Sequence, residues 1–311
     1  MNIIAVSYQP NCFNYIKATL NSFQSSKKIF VNKNFYQNKH KKALSFIKKK
    51  IIKKNYILIS GTSSTDSFEK KLRKMFYSLN LPVFIILDST FNLKKRFIKD
   101  DLLKPVVFVN DKYAKTNLMK NKFLNKKVFN YGNVYLEQLL KKNKPISNFK
   151  SKKVLMISQP LSERKKKFNE IKCFKILSNV CNKNNLNLDV KIHPREKTNK
   201  WLKLNKNFKF NLVSKAFKSI NLKSYKFIFG INSESFLECV TMNKNTFAIN
   251  FTKVYQNNYS IRNKLVRTIE NHKELNKIFL NRYKINTINF KNKIVGKKIF
   301  NQIKNEAKKF F

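Results

Sequence analysis

YILISGTSSTDSFEKKLRKMFYSLNLPVFIILD, residues 56–88, decides the fold. Tyr56–Ser60 is a short apolar run of the length of a buried strand, and Gly61 through Ser64 form a turn. Asp66, with Glu69 three residues later, has the spacing of a capping box at a helix start. Phe68, Leu72, Met75, Phe76 and Leu79 then recur at helical spacing along one stripe. Pro82 opens a second apolar run, Val83–Leu87, which ends on Asp88. A strand, a helix and a second buried strand make one βαβ unit, so the two strands are parallel and carry helices against the sheet.

The same alternation extends in both directions. Upstream lie a strand at residues 3–7, a helical pattern on Phe13, Ile16, Leu20 and Phe23, a strand at 28–31 and a basic helix at about 39–53. Downstream, Pro105–Val109 and Lys127–Phe129 each precede a helical pattern. The polar, Pro-containing stretch KNKPISNFKS near 143–152 reads as a linker, after which the pattern restarts. Val154–Ile157 is a strand, 163–183 a helix, and Leu186, Leu188, Val190 and Ile192 alternate as a strand with one apolar face. Phe227–Gly230 and Phe247–Asn250 bracket a helix from Glu234 to about Met242, and a Lys-rich amphipathic helix closes the chain from about 292. The expectation is an α/β protein of two doubly wound parallel-sheet domains, residues 1–149 and 150–311, with the last helix in the second.

A chain of 311 residues, 42% hydrophobic, suits two such domains and is too apolar for wholesale disorder. Its Lys and Arg total 67 against 16 acids, a formal charge of +51. Lys, Asn, Ile and Phe, all abundant here, are encoded by A/T-rich codons, so genome composition is the bland explanation for the lysines. The functional alternative is a polyanion: nucleic acid, an anionic leaflet or an acidic glycan. The lysines are spread along the chain, whereas a dedicated nucleic-acid module concentrates them on one element. Four Cys without a CxxC pair and three scattered His argue against a disulfide scaffold and against a metal centre. No run reaches the roughly 18–20 apolar residues of a membrane helix, and the first residues lack a signal-peptide pattern. A cytoplasmic location is expected; the charge and the terminal helix would suit the inner face of the membrane, and a terminal helix that packs back across the first domain is the plainer reading.

Three constellations sit where strands end. In Lys191-Ile192-His193-Pro194-Arg195-Glu196, Pro194 stops the strand, leaving His193 at its carboxyl edge and Arg195 in the loop. An imidazole beside a guanidinium binds phosphate; a strand-end His that merely satisfies a backbone bond is the plainer alternative. In Gly230-Ile231-Asn232-Ser233-Glu234-Ser235, hydroxyl residues open a helix where N–H groups can hold an anion; helix capping by Ser233 or Ser235 explains them equally. Glu238 lies one turn into that helix. The third constellation is Gly61-Thr62-Ser63-Ser64 after one strand and Asp88-Ser89-Thr90 after the next. Asp88 is the best-placed carboxylate for a general base in a chain short of acids; a turn-forming Asp is the alternative.

These residues carry a family resemblance. VLMISQPLSE (154–163), VKIHPREK (190–197) and GINSESFLE (230–238) together resemble the nucleotide-binding domain of GT-B glycosyltransferases. The nearest likeness is to the bacterial sialyltransferase and polysialyltransferase group, with its His-Pro and Ser-Ser/Thr motifs. His193-Pro194 matches the first motif; Ser233 and Ser235 match the second with Glu234 intervening. The group's acidic pair followed by Gly has only Asp88-Ser89-Thr90 as its counterpart. GTSSTDSFEKKL (61–72), LDSTFNLKKRF (87–97) and YGNVYLEQL (131–139) are similar to GT-B-like surface-polysaccharide proteins. No GxGxxG or P-loop signature appears, which leaves redox dinucleotide and NTPase chemistry without support.

The resemblance implies two Rossmann-like domains facing a cleft. It implies a metal-independent, cofactor-free glycosyltransferase that moves a sugar, such as a sialic-acid-type sugar from a CMP donor, onto a glycan or glycolipid acceptor. In that reading His193 and Arg195 face the donor phosphate, Ser233 and Ser235 bind it, Glu238 contacts the ribose, and Gln159, Pro160 and Pro194 shape the nucleotide wall. Asp88 deprotonates the acceptor hydroxyl, and Gly61, Thr62 and Ser63 shape the acceptor side. Two alternatives stand beside it: a UDP-sugar 2-epimerase on the same scaffold, and a non-enzymatic polyanion-binding protein. No specific nucleic-acid partner is expected.

Overall fold

The computed structural model describes residues 2–8, 10–23, 27–32, 40–52, 55–64, 68–90, 92–102, 105–120, 127–161, 170–251, 258–280 and 294–311. The chain divides into two compact units, Met1–Gln138 with Phe290–Phe311, and Leu139–Asn289.

In the first unit the chain runs β1 (Asn2–Ser7), α1 (Pro10–Leu20), β2 (Lys27–Asn32), α2 (His40–Ile52), β3 (Tyr56–Ser60), α3 (Phe68–Ser78) and β4 (Val83–Leu87). It continues through α4 (Leu93–Arg96), β5 (Val106–Val109), α5 (Lys112–Lys120), β6 (Val128–Asn130) and α6 (Val134–Lys142), whose last residues pass the unit boundary. The six strands form one sheet in the order β2-β1-β3-β4-β5-β6, every pairing parallel. Strands β3, β4 and β5 are buried on both faces, which is why they read as continuous apolar runs. Ile4, Val6, Leu58, Ile85 and Val107 pack with Ile47, Phe68, Leu72 and Phe76 on one side of the sheet.

The second unit runs β7 (Lys153–Ile157), α7 (Glu170–Lys183), β8 (Asn187–Lys191), α8 (Thr198–Asn205), β9 (Asn211–Leu212) and β10 (Phe227–Gly230). It ends with α9 (Phe236–Met242), β11 (Thr246–Ile249), α10 (Tyr259–Arg262), β12 (Arg267–Ile269) and α11 (His272–Phe279). Its sheet is also six-stranded and parallel, ordered β12-β11-β10-β7-β8-β9. The alternation of Leu186, Leu188 and Val190 places these side chains in a core with Phe174, Leu177, Trp201, Phe227 and Phe229.

The final helix, α12 (Val295–Ala307), belongs to the first unit, which agrees with a terminal helix packing back across the first domain and moves it out of the 150–311 range expected for the second. Its apolar stripe, Val295, Ile299 and Ile303, is buried. Phe300 meets Phe23 edge-on at 4.7 Å, Gly296 N–H donates to Glu137 at 2.9 Å, and Lys127 pairs with Glu306 at 3.2 Å. The stripe read as a possible membrane face is therefore used for packing. The stretch read as a linker is likewise part of the second unit. Ile146 exchanges backbone hydrogen bonds with the end of α9 through Met242 O and Lys244 N, and Ser151 donates to Ser224 O at 2.7 Å. Among the described residues no helix is long and apolar enough to cross a membrane.

Candidate functional site

A doubly wound sheet binds ligands outside the carboxyl ends of its strands, at the point where the strand order reverses. In the second unit that point lies between β7 and β10. The residues beyond those two strands are tied together. Gln159 Nε2 donates to Asn232 O at 2.8 Å, and Asn232 N donates to Gln159 Oε1 at 3.1 Å. Pro160 follows, buried. Gly230, the last residue of β10, is required by close packing: a Cβ there would stand 2.9 Å from the Phe236 ring, whose own burial anchors α9.

Beside β7, the carboxyl end of β8 carries the His193 turn. Glu196 N donates to His193 O at 2.9 Å, closing a four-residue turn with Pro194 in the position that suits its fixed φ. Arg195 N donates to His193 Nδ1 at 3.1 Å. His193 is half-buried, while the Pro194 and Arg195 side chains face solvent. The Glu196 carboxylate is enclosed: it accepts from Ser158 Oγ at 2.8 Å and from His193 N at 2.7 Å, and pairs with Lys200 at 2.7 Å. Lys200 also pairs with Glu170 at 2.6 Å. Its partial burial opposes its charge, but the two carboxylates outweigh that and raise its pKa.

Ser233 is buried and its hydroxyl accepts from Ser235 N at 3.2 Å. Asn258 Nδ2 donates to Ser233 O at 2.9 Å, while Asn258 Oδ1 accepts from Ser260 N. Ser235 occupies the N-cap position of α9, but its side chain makes no capping hydrogen bond. Glu238 lies in the first turn, half-buried. The structure thus gathers Gln159, Pro160, His193, Ser233 and Ser235 on one edge of one sheet, with Arg195 at its exposed margin.

In the first unit, Gly61, Thr62 and Ser63 lie beyond β3 and Asp88 beyond β4, on the carboxyl edge of the first sheet. All four lie in a buried polar network. Glu69, expected as the capping partner of Asp66, instead turns inward; Asp66 lies outside the described residues. The Glu69 carboxylate accepts from Tyr8 N and Ser63 N. Arg73, one helical turn on, is fully buried and donates to both oxygens of Asp101 at 3.1 Å, to Gly61 O and to Arg96 O. Tyr77 Oη donates to Asp101 at 2.7 Å. Arg96 donates to Thr62 O and pairs with Asp88 Oδ1 at 3.1 Å. Burial raises the Asp88 pKa, with the Arg96 charge opposing. Gly61 is the close-approach position here: a Cβ would stand 2.7 Å from Cys12 Sγ and 3.0 Å from Glu69.

Sequence reasoning did not assign Glu69, Arg73, Asp101, Arg96, Glu196 or Asn258 to these sites. A signal for the first two was present. Glu69, Arg73 and Tyr77 follow at i, i+4 and i+8, a polar stripe running beside the apolar one on α3.

No family model matches the chain, and comparison with curated proteins finds no match. Solved structures do match over nearly the whole length. The UDP-GlcNAc 2-epimerase from Methanocaldococcus jannaschii has a TM-score of 0.68 at 14% identity, covering 98% of this chain and 100% of its own. The fold is GT-B-like. The UDP-GlcNAc 2-epimerase of Neisseria meningitidis, solved with UDP-GlcNAc, aligns to this GT-B-like chain at TM-score 0.67 and 11% identity, over 98% and 100% of the two chains. S. aureus MnaA, solved with UDP, aligns at 0.60 and 13%, over 99% and 97%. Structural neighbours of the GT-B-like chain are thus UDP-sugar enzymes, and at these identities the likeness carries the fold alone.

Proposed function

We propose that the chain is a nucleotide-sugar enzyme that binds a UDP-linked N-acetylhexosamine at the carboxyl edge of the second sheet and epimerises it. The observation that carries this reading is the strand-order reversal between β7 and β10, with Gln159 and Asn232 joined across it. Neighbours of this fold include 2-epimerases solved with UDP-GlcNAc and UDP, which supports UDP over CMP as the nucleotide. Ser233 and Ser235 are the hydroxyls we assign to the phosphates, His193 to a phosphate oxygen, and Glu238 to the ribose. Inversion at a sugar carbon needs a group that takes and returns a proton. Asp88 is the carboxyl we assign to this: it sits at a strand end, and burial raises its proton affinity against the opposing charge of Arg96.

The His193-Pro194 and Ser233/Ser235 resemblance favours a second reading, glycosyl transfer from a CMP-linked acid sugar to a glycan acceptor. One assay separates the two. Purified protein incubated with UDP-GlcNAc alone is followed by proton NMR of the sugar ring. The epimerase reading predicts a new set of sugar-ring signals or free UDP without any acceptor. An unchanged UDP-GlcNAc spectrum, with CMP-sugar consumed only when a glycan is added, would replace it by the transferase reading.

A further inference from the structure

We propose that Glu196 is a positioning residue for His193, holding the imidazole with Nδ1 on the Arg195 N–H so that the ring proton sits on Nε2. The consequence for substrate rests on the nucleotide-sugar reading above; the tautomer does not. A carboxylate with no side-chain exposure is costly unless its lone pairs are met, and those of Glu196 are met by groups from three different elements. Ser158 Oγ brings the end of β7, His193 N brings the turn after β8, and Lys200 brings α8. Glu196 therefore fixes where the turn starts relative to β7, the strand that borders the switch point.

The turn then fixes the ring. A backbone N–H can donate only to an unprotonated nitrogen, so the bond from Arg195 N at 3.1 Å assigns Nδ1 as acceptor and Nε2 as the N–H donor. An imidazole held this way offers a hydrogen bond to a phosphate oxygen while neutral. The charge at that edge is supplied separately by Arg195, whose side chain is solvent-facing. Pro194 and Glu196 thus act at the same point: one shapes the turn, the other ties it down.

The chain has three His, at 40, 193 and 272, so long-range proton–nitrogen correlation of nitrogen-15-labelled protein resolves each ring. The experiment uses ligand-free full-length chain. We expect His193 in wild type to be the Nε2–H tautomer, and Glu196→Gln to relax it into an exchanging mixture while weakening UDP binding by about tenfold or more. Leu177→Ala, which destabilises the same core without touching the turn, should leave the tautomer unchanged. Ser158→Ala, which cuts the tether at its β7 end, should shift the tautomer in the same direction as Glu196→Gln. It decides the matter if Glu196→Gln does not fold. A wild-type Nδ1–H tautomer, or an unaltered Nε2–H tautomer in the folded variants, overturns the proposal. Wild-type protein that shows the expected tautomer yet fails to bind UDP would instead remove the nucleotide reading and leave the positioning role standing.

Discussion

Gln159 and Asn232 lie 73 residues apart and exchange two hydrogen bonds, side-chain amide to backbone in both directions. The pair joins the loop after β7 to the loop after β10 at the reversal of strand order, the place where this sheet class takes its ligand. A glutamine amide matches a backbone peptide group donor for acceptor, so it locks both the spacing and the tilt of the two loops.

Gln159→Ala should therefore loosen a binding edge without opening a core. We expect about 1–2 kcal/mol of stability to be lost, the range for hydrogen bonds of this kind, and UDP affinity to fall by a factor of about ten. Thermal melting with and without UDP measures both effects, because a ligand that binds only the folded state raises the melting temperature. An undiminished UDP shift in the variant would show that the bridge does not shape the site.

Asp88→Asn separates the chemistry from the fold. The amide keeps an oxygen for Arg96, which also holds Thr62 O, so the network should survive. Turnover should fall by about 10²–10⁴, the usual contribution of a positioned acid or base. The pH dependence of stability should change as well. Burial raises the folded pKa of Asp88 above its unfolded value, so between the two the native state holds the proton more tightly. This group's contribution to stability is therefore largest at low pH and declines as pH rises through the folded value. Urea midpoints measured across pH 4–7 should lose that declining component in the variant.

Arg73→Met tests the buried network beneath the first site. Arg73 and Asp101 have no side-chain exposure, and removing one partner leaves a charge stranded. Such losses run to about 3–5 kcal/mol. Adding Asp101→Asn should recover part of it, which equilibrium unfolding of the double variant would reveal; full additivity of the two losses would contradict a coupled pair.

The sheets were legible in the sequence because parallel strands buried on both faces must be apolar throughout, and VFIIL or VLMI admits little else. The strand-end sites followed from the strand ends: Asp88 comes directly after Leu87, His193 after the alternating run that ends at Ile192, and Ser233 three residues after Gly230. The buried network was not legible. Glu69 satisfies a local rule as a helix-start acid and Asp101 lies in no motif the sequence marks; only their partners, Ser63 N–H and Arg73, show that they point inward. The place of α12 was expected only in outline, as a helix packing back across the first domain. An amphipathic helix shows which face it buries but not against which unit, and the contacts of Phe300 and Glu306 with Phe23 and Lys127 depend on residues far away in the chain.

The most direct test is calorimetric titration of the full-length chain with UDP. The account predicts saturable binding of one nucleotide per chain with Kd below about 1 mM, weakened by Gln159→Ala. No heat with UDP, UDP-GlcNAc or CMP from folded protein would contradict it.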